Sequence, residues 1–289
     1  MTAIHDTAEH ARARDGLTVL SGAALAVRAE LDRVFSSWGL DVGAEPVEYP
    51  KLLRTADLAT LDYWVNFPHL ALLAAGSDPE RAAELASVPE SAFGGELLGT
   101  AEYALPSATC YAAYLDLRGR TLPATARITA VGTCFRRETH YDGLRRLLGF
   151  SMREVICVGD REDVLAHITS FKAKVTGFAH RLGLPLTVEA ATDPFFDKDA
   201  SRTLVAKLFP VKEEFVFRST PDDPGLAIGS VNFHRNFFGE RCAISLADGS
   251  AAFSGCAAFG LERWLAALRA TFGPSWDAIL ERVRVAGSC

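Results

Sequence analysis

Apolar side chains recur every three or four positions at Val27, Leu31, Val34, Phe35 and Trp38, the spacing that places them on one face of an amphipathic helix. The pattern predicts a helix from about residue 22 to residue 37, stopped at Gly39. Val47 to Tyr49 reads as a short strand ending at Pro50, and residues 57–75 are mixed. Asp78-Pro79-Glu80-Arg81 carries the aspartate cap and first-turn proline that open a helix. The runs 105–117 and 126–136 are rich in small, branched and aromatic residues and are predicted as strands. Asp160 can cap a long helix with Val164, Ile168, Phe171, Val175, Phe178 and Leu182 inward, closed by Gly183 and Pro185. Strands are expected at 186–190, 214–218 and 226–233. A glycine turn at Ser254-Gly255 then leads to a helix through Trp264, Leu265 and Leu268, and residues 277–283 form one more helical piece. Several strands follow one another without an intervening helix, so an α+β fold, an antiparallel sheet flanked by helices, fits better than a doubly wound parallel sheet. No repeat, low-complexity tract or linker interrupts the pattern. The expected organisation is an N-terminal tail, 1–19, and a single domain, 20–289.

Composition narrows the field only slightly. Of 289 residues, 49% are apolar and 23% charged, enough for a sizeable core. A net charge of -6 argues against capture of nucleic acid by the whole surface, although a local basic groove remains compatible with it. Arginines gather at Arg136, Arg137, Arg145, Arg146 and Arg153, as a phosphate or carboxylate site prefers. The first sixteen residues lack the apolar core of a signal peptide, and no run approaches a membrane span, so a cytoplasmic protein is expected. Cys110, Cys134, Cys157, Cys242, Cys256 and Cys289 have no short-spaced framework; reduced thiols are the expectation, some of them metal ligands. Cys134, Cys157 and Cys242 are expected in the core.

The stretch Thr133-Cys134-Phe135-Arg136-Arg137-Glu138, a loop, and Phe150-Ser151-Met152-Arg153-Glu154-Val155 read as two antiparallel strands holding a phosphate between them. The planar guanidinium of Arg136 can bind an α-phosphate and a carboxylate together, neutralising charge that builds up as they react. Glu138, two residues on, projects from the same face. Alone, an Arg-x-Glu is more often a surface ion pair and Phe150 a core residue.

The order of motifs changes that reading. A long helix, a strand ending in proline, Phe135-Arg136-Arg137-Glu138, and Gly260-Leu261-Glu262-Arg263 opening a helix together resemble the catalytic core of class II aminoacyl-tRNA synthetases, from about residue 20 to residue 268. Phe150-x-Met152-Arg153-Glu154-Val155, Asp193-Pro194-Phe195-Phe196 and Cys256-x-x-Phe259-Gly260-Leu261-Glu262-Arg263 look most like the truncated seryl-tRNA synthetase homologues that act as amino acid:[carrier protein] ligases. The resemblance implies ATP with Mg2+ as substrate and Arg136 as the catalytic arginine. It implies that Glu138 contacts the adenine amino group, Phe150 stacks on the ring and Arg263 holds the γ-phosphate. Lys212, Ser230 and Asn232 would make further nucleotide or magnesium contacts.

The resemblance also implies a Zn2+ site at Cys110, Glu154 and Cys256. These residues lie 44 and 102 positions apart, so spacing alone would not nominate them. Two thiolates and a carboxylate leave a tetrahedral zinc one position short, open to the α-amino group of the amino acid. Glu154 is thereby a substrate-binding residue too.

Fewer than twenty-five residues precede the first helix, too few for the coiled-coil arm with which a seryl-tRNA synthetase reaches its tRNA. The expected acceptor is therefore the phosphopantetheine thiol of a carrier protein, loaded with a small amino acid such as glycine or alanine, and tRNA is not expected. Arg145, Arg146 and Arg181 could meet an acidic carrier, or could equally be solvated or bind nucleotide. The first motif implies a homodimer. The alternatives are a minimal aminoacyl-tRNA synthetase acting on tRNA, and a non-catalytic paralogue sensing amino acid or nucleotide, against which Arg136, Glu138 and Arg263 speak.

Overall fold

The computed structural model describes residues 11–87, 95–191 and 212–288. Helix α1 (Gly22–Asp41) buries Ala24, Val27, Leu31, Val34, Phe35 and Trp38, the stripe its spacing demands. It runs through Gly39 rather than stopping there. A Cβ at that residue would lie 3.0 Å from Thr129 Cβ and 3.3 Å from Val155 Cγ2, so the glycine serves close packing of helix on sheet. The chain turns at Gly43, with φ +75°, while Ala44 N–H donates to Gly39 O at 2.9 Å. Ahead of α1, Ala11–Arg14 and Leu17–Leu20 pair as an antiparallel hairpin.

Strand β1 (Glu45–Pro46) lies parallel to β2 (Ala126–Phe135), starting two residues before the expected 47–49. The apolar run 105–117 is not one strand. Tyr103–Leu105 is a short strand, Pro106 ends it, and Cys110–Asp116 forms helix α2, burying Cys110, Ala112, Ala113 and Tyr114. A short buried run has no amphipathic period to separate helix from strand. At the expected second helix, Asp78 accepts the Glu80 N–H at 2.9 Å, but only a 3-10 segment, Ala82–Ser87, follows.

β2 pairs antiparallel with β3 (Gly149–Gly159) from Ala126↔Val158 to Phe135↔Gly149. Helix α3 (Arg161–Leu182) has the expected cap, Asp160 accepting from Asp163 N, and ends at Gly183 with φ +74°. Strands β4 (Leu186–Ala190), β5 (Lys212–Phe217), β6 (Leu226–Arg235) and β7 (Phe253–Gly260) follow, then α4 (Leu261–Phe272) and α5 (Trp276–Gly287). The segment at Ser254-Gly255 is thus the start of a central strand, not a turn. Gly255 is needed there because a Cβ would stand 2.7 Å from Asn232 O and 2.9 Å from Val164 on α3.

The seven strands order as β4-β5-β6-β7-β3-β2-β1. All neighbours are antiparallel except β1 with β2, which bears out the antiparallel sheet flanked by helices, with one parallel edge. Helices α1, α3, α4 and α5 cover one face, where Phe35 stacks on Phe259 at 4.3 Å among Trp38, Phe178 and Trp264. Each such buried aromatic contributes roughly 1.5–3 kcal/mol. On the opposite face α2 and neighbouring loops pack a second apolar cluster around Ile128, Ile156 and Cys256, and the candidate site lies beside it.

Candidate active site

Side chains alternate along a strand, so the register fixes which residues share the face opposite α1, α3, α4 and α5. Two cross-strand rows run over it: Ile128–Ile156–Cys256–Asn232–Lys212, and Ala130–Glu154–Ala258–Ser230–Glu214. Six of the residues nominated from sequence thus lie on or beside one surface: Glu154, Cys256, Ser230, Asn232, Lys212 and, two pairs beyond Glu154 along β3, Phe150.

Cys110 reaches this surface from the start of α2. Its Sγ, a Glu154 carboxylate oxygen and Cys256 Sγ all lie within 4.8 Å of one another, the one such metal-capable group among the described residues. All three residues are buried. Glu154 Oε1 accepts the N–H groups of Thr109 (2.9 Å) and Cys110 (3.1 Å), whereas Glu154 Oε2 is buried with no hydrogen-bond partner. Burial pushes the Glu154 carboxyl up, and the Cys110 thiol is raised by its hydrogen bond with Cys256 and by burial. An orphaned carboxylate oxygen beside two buried thiols is costly as it stands. A divalent ion of zinc type would answer it, since its charge favours the deprotonated forms of these donors. Asn232 Nδ2 donates to Cys256 Sγ at 3.4 Å and to Ser230 Oγ at 3.1 Å, orienting the thiol from the neighbouring strand. Neither that contact nor the two N–H groups on Glu154 was foreseen; both follow from register and from α2 being a helix.

At the other end, Arg136 Nε and Nη2 donate to Ser107 O at 3.2 and 3.1 Å. Its guanidinium lies 5.2 Å from the Phe150 ring centroid, a cation–π contact. Arg146 Nη1 donates to Glu138 Oε2 at 2.9 Å. Arg263 Nε and Nη1 donate to Arg145 O and Ala227 O, both at 3.0 Å. Burial, followed by the nearby Arg136 charge, pushes its guanidinium down to about 10, and two half-buried like charges are a place for an anion. Lys212 Nζ pairs with Glu214 at 2.8 Å.

Other nominated groups lie elsewhere. Arg153, counted among the phosphate-type arginines, points to the helix-covered face, where Asp32 of α1 accepts from its Nε and Nη2 at 2.7 and 2.8 Å; being one residue from Glu154 puts it on the opposite side of the strand. Arg181 Nε donates to Ala286 O at 3.0 Å, tying α3 to α5. Cys134, Cys157 and Cys242 are buried, as expected of core thiols. Asp193-Pro194-Phe195-Phe196 and Cys289 lie outside the described residues.

Solved structures share this architecture. M. kandleri SerRS, in complex with A. aeolicus tRNASec, matches with a TM-score of 0.76 at 22% identity, over 95% of this chain and 58% of that one. The fold is that of the class II aminoacyl-tRNA synthetases; the chain spans little more than half the length of the M. kandleri protein. Sequence relatives are more specific. Amino acid:[acyl-carrier-protein] ligase 1 of Bradyrhizobium diazoefficiens is 31% identical over 252 residues, 84% of this chain and 76% of the relative. Ligase 2 of the same organism is 30% identical over 237 residues, covering 79% and 70%. No protein-family model matches the chain. With that identity and coverage, the chain belongs to the amino acid:[acyl-carrier-protein] ligase family, and it is a ligase.

Proposed function

We propose that the chain activates a small amino acid with Mg-ATP as an aminoacyl adenylate and transfers it to the phosphopantetheine thiol of a carrier protein. The observation carrying this is the continuity of one sheet face: an anion-ready arginine pair at one end, and the Cys110–Glu154–Cys256 group at the other. Phe150 stacks on the adenine, Glu138 accepts from its amino group, and Lys212, Ser230 and Asn232 line the floor between. Arg263 holds the terminal phosphates. Arg136 binds the α-phosphate as the substrate carboxylate attacks it and pyrophosphate leaves, meeting the growing negative charge with donors already in place. Zinc bound by Cys110, Glu154 and Cys256 would supply a Lewis-acidic position for the α-amino nitrogen. In the second step the thiol sulfur attacks the adenylate carbonyl, AMP leaves, and the thiol proton is released.

The partner class is supported by the relatives, which are named as carrier-protein ligases. A homodimer through α1 and the edge segment from β1 to Pro50 is part of this reading, supported by Leu25 and Leu40, exposed on α1. Among the described residues, no helix is long and apolar enough to cross a membrane; a cytoplasmic location is part of the proposal.

The test is amino-acid-dependent exchange of labelled pyrophosphate into ATP, with zinc present, across the small amino acids. Exchange with glycine or alanine is expected; none with any of them would remove the proposal. Offered a phosphopantetheinylated carrier and tRNA together, the enzyme should label the carrier. Label on tRNA would establish the second reading, a minimal synthetase.

A further inference from the structure

Glu262, in the first turn of α4, is 5% exposed and faces the back of the sheet, while Arg263 beside it serves the front. The β3–β7 ladder reaches its last pair at Met152↔Gly260. The next N–H on β3, that of Ser151, donates to Glu262 Oε2 at 2.8 Å, so the carboxylate extends the ladder where the strand has ended. Arg28 of α1 closes the group. Its Nη2 donates to Ser151 Oγ at 2.7 Å, and its Nε lies 3.5 Å from Glu262 Oε1. A carboxylate this deep is retained only with its partners in place, and the three contacts pin the first turn of α4 to β3. Arg263 leaves from that same turn, and its guanidinium is shared between Arg145 O and Ala227 O. Rotating the turn would therefore move both residues.

We propose that Arg28 and Glu262 are positioning residues for nucleotide binding, acting from the back of the sheet to hold Arg263 where the terminal phosphates of ATP arrive. This rests on the function proposed above. Its consequence is selective. Displacing Arg263 weakens the hold on ATP, whereas the Cys110–Glu154–Cys256 group, held by α2, β7 and the part of β3 that stays paired on both sides with β2 and β7, keeps its geometry.

The experiment measures KM for ATP, KM for the amino acid, and kcat in pyrophosphate exchange for the zinc-loaded protein. Glu262→Gln keeps an acceptor for Ser151 N–H and removes the charge facing Arg28. Arg28→Gln removes the cation at a half-buried position, so it keeps the test alive if the Glu262 variant fails to fold. Arg28→Lys, which restores the charge, should recover part of the loss. Expected for Glu262→Gln and Arg28→Gln is a rise of about tenfold in KM for ATP, the scale of one charge-assisted hydrogen bond, with the amino acid KM changed less than about twofold. Asp32→Asn is the control, because it breaks an ion pair between the same helix and the same strand, next to Glu154 rather than Arg263. It should lower stability without an ATP-selective effect. Equal shifts in both KM values, an unchanged KM for ATP, or the same selective rise in Asp32→Asn would overturn the proposal. If the wild type shows no exchange, the functional reading has failed instead, and calorimetric binding of Mg-ATP decides the positioning role on the same tenfold criterion.

Discussion

The ion pair between Asp32 and Arg153 permits a worked prediction. Arg153 is 7% exposed; its Nε and Nη2 meet the two Asp32 oxygens at 2.7 and 2.8 Å, and its Nη1 donates to Thr129 Oγ1 at 3.2 Å. Asp32→Asn preserves size but leaves the guanidinium buried opposite a neutral amide that can accept at one oxygen only. Breaking a buried pair from one side costs about 3–5 kcal/mol. The Asp32 side chain is 27% exposed, so water can compensate in part, and about 2–3 kcal/mol is the expected loss. A chain of 289 residues unfolds with an entropy of about 0.6 kcal/mol/K, so Tm should fall by about 3–5 °C. Urea unfolding at fixed protein concentration, which keeps any dimer equilibrium constant, is the direct assay. Because the pair is buried, the difference should persist at high salt. A variant within about 0.5 kcal/mol of wild type would refute the claim that this pair, rather than a phosphate, is what Arg153 is for.

Three further outcomes are expected. Cys110→Ala should lower bound zinc and exchange activity together, measured by metal analysis and pyrophosphate exchange; a fully active, metal-free variant would remove the metal site. Arg136→Ala should reduce kcat by about 10²–10³-fold, and a loss of less than about tenfold would dismiss it as the charge-stabilising group. Burial pushes His167 and His234 down to about 4, below an unfolded imidazole at about 6.5. The unfolded chain therefore protonates first, so their contribution is complete above about pH 6.5 and drains as pH falls toward 4, by at most about 3 kcal/mol each. Urea midpoints between pH 7.5 and 4.5 should show this decline, shallower in His167→Gln, and an identical slope in that variant would contradict it.

Much of this protein is legible in local sequence. Helix α3 announces itself, with Asp160 to start it, an apolar stripe, and Gly183 to end it, because caps and periodicity are properties of neighbouring residues. The β2–β3 pair is equally plain. Given Glu154 and Cys256, strand alternation also says which neighbours share their face.

Other features were decided only by contacts between distant segments. The run 105–117 is apolar enough for either element, and Pro106, buried alanines and the N–H groups that Glu154 receives make Cys110–Asp116 a helix. Gly39 and Gly255 looked like punctuation and are instead places where helix and sheet approach too closely for a side chain. Arg153 carries the same charge as Arg136, yet faces the other way, because the pleat turns it toward Asp32. Cys110, Glu154 and Cys256 were nominated from sequence through motif resemblance alone, and the fold brings them within 4.8 Å. Local periodicity assigns residues to elements and faces; which faces meet, and what a buried charge finds opposite it, is set by packing, which sequence distance does not encode.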